Sequence, residues 1–475
     1  MLDVLLLRID FIRLLFTELR YRVTEPSPPV PSDQPEVVAL LRTMIGFDTT
    51  NWGRGRSRGE APLARWVVGQ LRAVGFAPLL LARPDAPERA NVVLRVPGTD
   101  AALPGLVVHA HLDVVPAEPA DWSVDPFAGA VADGFVWGRG ASDMKDMAAM
   151  TLATLLHWGR TGTRPRRDVV VAFVADEEDR GEYGAEWLVD TRPDLFAGTA
   201  AAIGESGGEF RELRPAGAEP AAPAVRCYPV AAGERGTMHL RLTATGTAGH
   251  ASRPGVDNPV VVLLDALHRL AHHRWPLHLA PVVRAQLGTL ADALGVAVDL
   301  DSDAGVEAAL ELLGESADPA RWTSRASSTP TVLEAGYKVN VIPGSASAEV
   351  DVRCPPGYDD ALLAALPGLL GDGVEHTFTS FQRPVEAPVD GPWFAAIRAA
   401  VLRADPAAVV VPTCMAGGTD AKAFARLGLH CYGFAPLGED PDGRRAAGVH
   451  GVDERVPVAS LLWGAAVLAD LLTTG

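Results

Sequence analysis

Helical and strand-like patterns of apolar residues alternate along the first half of the chain. Helical spacing predicts helices over 36–46, 60–75, 145–159 and 184–190, and short apolar runs predict strands over 91–96, 105–111, 168–175 and 200–204. The run VVVAFVA at 169–175 is apolar without alternation, which is typical of a strand covered on both faces. This order of elements predicts an α/β layer architecture with a mainly parallel central sheet.

The pattern changes after a Pro/Ala-rich break at 214–225. Beyond it we predict strands at 238–246 and 374–381, helices at 259–271 and 359–370, and two strands within 331–353. We therefore expect a smaller α+β domain over 233–382, with a partly helical insertion at 281–328. The first pattern then resumes and ends in an apolar helix at 457–473, so the larger domain is expected to comprise 32–232 and 383–475.

The N-terminal segment 1–31 has its own pattern. Residues 1–22, MLDVLLLRIDFIRLLFTELRYR, place apolar side chains at helical spacing, and acids and arginines interrupt the apolar stretch, which argues against a signal peptide. A Pro-rich linker follows. Two interpretations stay open: an accessory helix, including a start codon placed too early, or a helix that binds a membrane surface or a partner.

Composition excludes several classes of protein. The 475 residues carry 42 Lys and Arg against 59 Asp and Glu, and a net charge of −17 argues against binding nucleic acid through a basic surface. The four cysteines form no C-x-x-C pair and are too few for a disulfide scaffold, so we expect a reducing cytoplasm. No apolar run is long enough to span a bilayer.

Histidines and carboxylates cluster in five short motifs, three of which directly follow predicted strands. The motifs are HAHLDVVP (109–116), GRGASDMK (138–145), DEED (176–179), GESGG (204–208) and GVHGVDE (448–454). Ligand sites of open α/β sheets lie at the carboxyl ends of the strands. We therefore expect these motifs to meet in one crevice.

Counted as ligands, two imidazoles and three carboxylates suffice for two metal ions: His111, His450, Asp143, Glu178 and Glu205. If Asp143 is shared, each ion receives one His and two carboxylates, with room for a water between the ions. Such ligands suit Zn²⁺, with Co²⁺ or Mn²⁺ as alternatives. Asp113 could hold the ring of His111, and Glu177 is left to act as general base.

Simpler interpretations of the same residues stay open. Any single carboxylate here could be a helix cap or a solvated charge, and DEED alone could be a solvated run. The segment GESGG also fits G-x-S-x-G, which would make Ser206 the nucleophile of a serine hydrolase. That motif requires a helix immediately after it, and the following FRELRPAGAEPAAP is poor helix-forming sequence.

From Phe47 to Leu472 the sequence resembles the M20 family of metallopeptidases and amidohydrolases, closest to its carboxypeptidase S-like and aminoacylase-like branch. The matching segments are FDTTN (47–51), NVVLRVPG (91–98), AHLDVVP (110–116), GRGASDMK (138–145), DEED with GEYGA (176–185), GTAGHASRPGVDNP (246–259), NVIP (340–343), DVR (351–353) and GGTDA (417–421). The resemblance implies a phosphorylase/hydrolase-like catalytic domain for two zinc ions, with an inserted ferredoxin-like lid and dimerisation domain.

The resemblance also assigns roles to single residues. His111, Asp143 and Glu205 would hold one metal, and Asp143, Glu178 and His450 the other. It implies that Asp113 orients His111, that Glu177 is the base, and that His250 reaches into the partner subunit's site to stabilise the oxyanion. The implied substrate-binding residues are Asn340, Arg353, Gly418 and Thr419.

The implied activity is hydrolysis of an amide bond next to a free carboxylate, in an N-acyl amino acid or at the C-terminus of a peptide, by a water between two metals. A homodimer formed through the inserted domain is expected. A non-catalytic homologue that binds a peptide or a partner is the alternative, and it would be favoured by the loss of a ligand or of Glu177.

Overall fold

The computed structural model describes residues 34–219, 224–253, 255 and 257–475. The helix predicted over 1–22 and its linker lie outside the described residues. The strands are β1 (Asn51–Gly53), β2 (Arg56–Ser57), β3 (Leu79–Ala82), β4 (Ala90–Val96), β5 (Gly105–His111), β6 (Ala130–Ala132), β7 (Phe135–Trp137), β8 (Val169–Val174), β9 (Thr199–Gly204), β10 (Arg211–Leu213), β11 (Val225–Glu234), β12 (Gly236–Thr245), β13 (Gly249–His250), β14 (Ser327–Ala335), β15 (Val341–Ile342), β16 (Ser345–Cys354), β17 (Val374–Gln382), β18 (Val385–Glu386), β19 (Val409–Met415), β20 (His430–Gly433) and β21 (Arg455–Pro457).

The α-helices are fewer and most are amphipathic. They are α1 (Glu36–Ile45), α2 (Ala61–Ala73), α3 (Lys145–Thr161), α4 (Ala185–Thr191), α5 (Pro259–His272), α6 (Pro281–Leu294), α7 (Asp303–Leu313), α8 (Asp318–Thr323), α9 (Asp359–Leu370), α10 (Pro392–Ala404), α11 (Ala421–Ala425), α12 (Arg445–Gly448) and α13 (Val458–Thr474). Among the described residues, none of these helices combines the length and apolarity that crossing a membrane requires.

A ten-stranded sheet forms the centre of the larger domain. Its middle strands lie in the order β20-β9-β5-β8 and run parallel, while β4 and β3 continue it antiparallel on one side and β11 on the other. Alternate side chains of β8 enter two different apolar clusters, Val171 on one face and Ala172 on the other. This arrangement confirms the predicted α/β architecture with a mainly parallel sheet whose central strand is covered on both faces.

A second, four-stranded antiparallel sheet has the order β14-β16-β12-β17. Its core contains Leu240 and Val350 from the strands, together with Leu263 from α5 and Leu366 from α9. Helix α5 begins where the side chain of Asn258 accepts a hydrogen bond from the N–H of Val260, a standard N-cap. The sheet is inserted between β11 and β18 of the larger sheet. Helices α6, α7 and α8, from the predicted insertion, share the apolar core of the larger domain.

Candidate metal centre

Three neighbouring parallel strands carry candidate ligands at their carboxyl ends. His111 is the last residue of β5, Glu177 and Glu178 follow β8, and Glu205 follows β9. Since β8, β5 and β9 are adjacent and parallel, these four residues meet at one edge of the sheet. The sheet topology therefore builds the crevice that the motifs predicted.

Two groups of ligand atoms form there, and they share one carboxylate. His111 Nε2 lies 3.1 Å from Asp143 Oδ1 and 3.7 Å from Glu205 Oε2. His450 Nε2 lies 3.0 Å from Asp143 Oδ2 and 3.1 Å from Glu178 Oε2. In each group the ligand atoms all lie within 4.8 Å of one another. The structure thus brings together all five residues predicted as ligands, with one oxygen of Asp143 facing each histidine.

The chemistry of this donor set fits a pair of divalent cations. Three carboxylates against two imidazoles leave an excess of negative charge in a partly buried crevice. Oε1 of Glu178 is buried and has no hydrogen-bond partner among the described residues. Buried polar atoms normally have partners, so this oxygen points to a missing ligand bond. Nitrogen and oxygen donors of this kind favour Zn²⁺ and related ions.

The proximity of these groups shifts their proton affinities. Burial alone would raise the pKa of Asp143, but hydrogen bonds with His111 and His450 hold it below its ordinary range. Hydrogen bonds to Asp143 and Glu178 raise the pKa of His450 to about 10. A positive charge at the imidazole positions is therefore stabilised, as expected where cations bind.

Asp113 organises both sides of the site. Nδ1 of His111 lies 3.0 Å from the backbone carbonyl oxygen of Asp113 and 3.5 Å from its Oδ1. Because a carbonyl oxygen only accepts, Nδ1 carries the proton and Nε2 is left as the ligand atom. The two carboxylate oxygens of Asp113 accept from the backbone N–H groups of Glu177 and Glu178, both at 3.2 Å. Asp113 therefore also fixes the turn that carries the expected base.

Glu177 extends from this turn into the crevice. Burial raises the pKa of its carboxyl well above the ordinary value, and the neighbouring carboxylate of Glu205 raises it further. A carboxyl group with a raised pKa next to a candidate metal pair is typical of a general acid–base residue.

A buried network behind the turn was missed by sequence reasoning. The guanidinium of Arg89 donates to both oxygens of Glu60, at 2.9 Å each, and to Oδ1 of Asp176 at 2.7 Å. Asn51 Nδ2 connects this network to Asp113, at 2.9 Å, and to Asp176, at 3.1 Å. The available signal was the position of Arg89 just before a strand of apolar residues. A single sequence does not distinguish such a buried arginine from one on the surface.

Glu454 is the second residue that sequence reasoning left without a role. Its buried carboxylate accepts from the guanidinium of Arg139 at 2.7 Å and from the backbone N–H groups of Ser142 at 2.8 Å and Asp143 at 3.2 Å. Since Glu454 follows His450 by four residues, it ties the loops of two candidate ligands together. The available signal was its place in the GVHGVDE motif.

The predicted substrate-binding residues lie mainly where the two domains join. Arg353 is held by Asp351, with Nε 2.7 Å from Oδ1, and by the hydroxyl of Thr237 at 2.9 Å. The N–H and hydroxyl of Thr419 donate to Glu234 at 3.0 and 2.6 Å. These contacts fix the orientation of the Arg353 guanidinium and of the loop that contains Thr419.

The remaining predicted residues differ in their surroundings. A Cβ at Gly418 would lie 2.2 Å from Nζ of Lys422, so a larger residue there would have to displace that ammonium group. His250 and Asn340 are exposed on the small domain and belong to neither group of candidate ligands, and the backbone oxygen of Asn340 accepts from the N–H of Ala251. Nδ1 of His250 lies 3.1 Å from the N–H of Ser252, which donates to it, so Nε2 carries the proton.

Ser206 does not stand in the context that a serine nucleophile needs. It has a left-handed φ of 73° after β9, and the next regular element is the strand β10. The strand–turn–helix arrangement of the G-x-S-x-G motif is therefore not formed.

Comparisons with known proteins agree with this geometry. The sequence model of "Peptidase family M20/M25/M40" matches residues 107–474. Aminoacylase-1 of Sus scrofa is 29% identical over 399 residues, covering 82% of this chain and 84% of that protein. The N-fatty-acyl-amino acid synthase/hydrolase PM20D1 of Homo sapiens is 27% identical over 380 residues, covering 78% of this chain and 74% of that protein.

Solved structures share the fold. The M20 family metallo-carboxypeptidase Sso-CP2 from Sulfolobus solfataricus has a TM-score of 0.68 at 17% identity, covering 93% of this chain and 99% of that chain. Human carnosine dipeptidase 1 has a TM-score of 0.61 at 16% identity, covering 92% and 95%.

The fold and the paired ligand groups define a metal-dependent amide hydrolase. Within that class, the chain belongs to peptidase family M20/M25/M40. The family resemblance expected from the motifs is thereby confirmed.

Proposed function

We propose that this protein hydrolyses an amide bond next to a free carboxylate, in an N-acyl amino acid or at the C-terminus of a peptide. The observation that carries the proposal is the pair of ligand groups that share Asp143, with Glu177 on the adjacent turn. The names of the relatives, an aminoacylase and an N-fatty-acyl-amino acid synthase/hydrolase, support substrates of this class.

We assign one cation to His111, Asp143 and Glu205, and the other to Asp143, Glu178 and His450. Zn²⁺ is the ion we expect, with Co²⁺ or Mn²⁺ as alternatives. When bound, such a pair polarises the substrate carbonyl and lowers the pKa of a water molecule.

Glu177 is the residue that transfers protons in this proposal. Its carboxylate accepts a proton from the attacking water as the new C–O bond forms at the carbonyl carbon, and returns that proton to the nitrogen as the C–N bond breaks. Asp113 keeps the turn in place through the N–H of Glu177. The products are a carboxylic acid and an amine.

We propose that residues at the junction of the two domains orient the substrate. We propose that Arg353 binds the substrate carboxylate, since a guanidinium fork matches a carboxylate, and that Asn340, Gly418 and Thr419 line the same subsite. We further propose that the small domain, 233–382, acts as a lid and forms a homodimer. In that dimer Nε2 of His250 would donate a hydrogen bond to the carbonyl oxygen in the partner's site as that oxygen gains charge.

The four cysteines are buried free thiols, which supports our proposal of a reducing, cytoplasmic location.

Replacing Glu177 tests the mechanism most directly. We expect E177Q to keep its bound metal and to lose activity by about 10²–10⁴-fold, because proton transfer is removed while the ligands stay. The matched control is E182Q, an exposed glutamate on the same loop, which should behave like the wild type. Activity is measured on a panel of N-acyl amino acids and dipeptides with each metal. Wild-type turnover by E177Q, or less than one metal equivalent in the purified wild type, would contradict the proposal.

A further inference from the structure

A surface groove of about 540 Å³ lies between α3 and α13, beside the N-terminus of α1. Its lining includes Pro35, Ala153, Trp158, Leu462 and Ala469. We call it the α3–α13 groove. It is separate from the metal centre, and no role in the reaction explains it.

The groove offers apolar contact and few unsatisfied polar groups. The Thr473 hydroxyl donates to a carbonyl oxygen of its own helix at 2.6 Å. The carboxylate of Glu36 is paired with Arg160 at 2.7 Å, and that of Asp470 with Arg403 at 2.7 Å. A ligand bound here would therefore be held by burial of apolar surface.

Helix α13 presents an unusual outer face at this groove. A helix on a protein surface normally turns charged residues outward. Here Ala459, Leu462 and Ala466 are exposed at helical spacing, and 38% of Leu462 is accessible. Small side chains on α13 and at Ala153 of α3 would let the axis of a further helix approach closely. The face has the character of a helix–helix interface that the described part of the chain leaves uncovered.

The sequence offers a segment with the matching pattern. Within residues 1–22, apolar side chains recur at intervals of three and four, the spacing of a helix that fits a groove: Leu5, Ile9, Ile12, Phe16 and Leu19. At 1.5 Å per residue, a helix over 2–20 would be about 28 Å long, close to the ~25 Å of α13.

The point of attachment also fits. Pro35 lines the groove, and residues 1–34 immediately precede it in the chain. The linker 23–33 would reach roughly 30 Å if extended as polyproline II, enough to turn the segment back along α13. A tether of this length gives an effective concentration in about the millimolar range, so weak contacts suffice.

We propose that residues 1–22 of this chain dock as an amphipathic helix in the α3–α13 groove, with their apolar stripe against α3 and α13. The groove is thus the site of an intramolecular interaction that joins the N-terminal segment to the C-terminal helix.

Cross-linking of the full chain tests the proposal. The four native cysteines are buried, so introduced cysteines can be addressed selectively. We expect F16C combined with A466C to form an intramolecular bond with a short bis-maleimide. R13C combined with A466C, on the polar face of the segment, should react much less. Cross-linked dimers in place of monomers would place a second copy's segment in the groove and overturn the intramolecular proposal.

Hydrogen exchange of full-length single variants gives an independent measurement. We expect I12E to increase exchange in the segment 459–473 at least several-fold, and R13E to leave it unchanged. Equal exchange in both variants would overturn the proposal. So would loss of binding to anionic phospholipid vesicles by I12E without any change in exchange, which would indicate a membrane-surface helix. An intact mass showing that the purified protein lacks residues 1–22 would also overturn it.

Discussion

The carboxylate of Glu454 accepts a hydrogen bond from the backbone N–H of Asp143, although 311 positions separate the two residues. The same carboxylate accepts from the N–H groups of Gly140 and Ser142 and from the guanidinium of Arg139. One buried acid thus holds the loop whose aspartate is shared between the two ligand groups. Partners of this kind orient metal ligands without touching the metal.

Replacing Glu454 by glutamine should therefore weaken both the fold and the metal site. The amide keeps the shape but turns one acceptor into a donor that faces buried N–H groups, and it removes the negative charge that pairs with Arg139. We expect the free energy of unfolding to fall by about 3–5 kcal/mol. Metal affinity should fall about 10–100-fold. Urea denaturation and competition with a chelator measure the two effects.

A surface pair provides the control for E454Q. Glu311 is 77% exposed and lies 2.9 Å from Arg321, so E311Q should change stability by less than about 1 kcal/mol. Equal metal affinities for E454Q and the wild type would show that Glu454 supports the fold alone.

Arg89 should act as a positioning residue for the turn that carries Glu177. Substitution R89M leaves the carboxylates of Glu60 and Asp176 buried without their partner, which should cost about 3–5 kcal/mol. Because the turn moves, kcat should fall more than KM rises. R89K restores the charge but not the fork that spans both acids, so we expect partial rescue.

The control for R89M lies on β4, the strand that follows Arg89. Arg95 pairs with Asp168 at 2.8 Å and also donates to two backbone carbonyl oxygens, but a third of its side chain is exposed, so R95M should cost less stability than R89M. If R89M lost stability but kept the wild-type kcat under native conditions, a positioning role would be ruled out.

His250 should act in the partner's site if the proposed dimer exists. We expect H250A and E177Q to be nearly inactive alone, and a refolded mixture of the two to regain activity, because one site of each mixed dimer has both residues. The measurement is the hydrolytic activity of the mixture, compared with the activity of each variant alone. A mixture no more active than its components would refute action between subunits.

Asp146 should make stability depend on pH. Burial, together with the nearby carboxylate of Glu454, raises the pKa of its carboxyl to about 7. The unfolded value is about 3.9, so between about pH 4 and pH 7 the folded state holds a proton that the unfolded state has released. The free energy of unfolding should therefore fall as pH rises through this window.

The substitution D146N removes this dependence. Its stability relative to the wild type should increase from pH 5 to pH 8, as measured by urea denaturation of metal-free protein. The exposed Asp372 provides the control, since D372N should follow the wild-type curve. Parallel curves for D146N and the wild type would contradict the assignment.

The fold was predictable where the pattern of apolar residues has one physical interpretation. The uninterrupted apolar run at 169–175 predicts a strand that is buried on both faces. Strand β8 confirms this, because each of its faces packs into an apolar cluster. The grouping of the candidate ligands was also predictable, because parallel strands bring His111, Glu178 and Glu205 to one edge of the sheet.

Other features depend on contacts that a single sequence does not encode. Arg89 and Glu60 are adjacent only because β4 and α2 pack together, and nothing in their local sequence marks them as buried. The packing of α6 against β19, and not against the smaller sheet, likewise depends on long-range burial of residues such as Val283 and Leu287.

The order of the candidate ligands along the chain also has a consequence for synthesis. His111 and His450 lie more than three hundred residues apart, with the smaller domain between them. At about 5–20 residues per second, on the order of half a minute passes between the appearance of the first ligand and the last. Throughout that time no intermediate length of the nascent chain contains all five proposed ligands. On the proposed assignment of ligands, the hydrolase therefore stays silent beside the other polypeptides that emerge around it, and gains its activity only with the closing segment of its own translation.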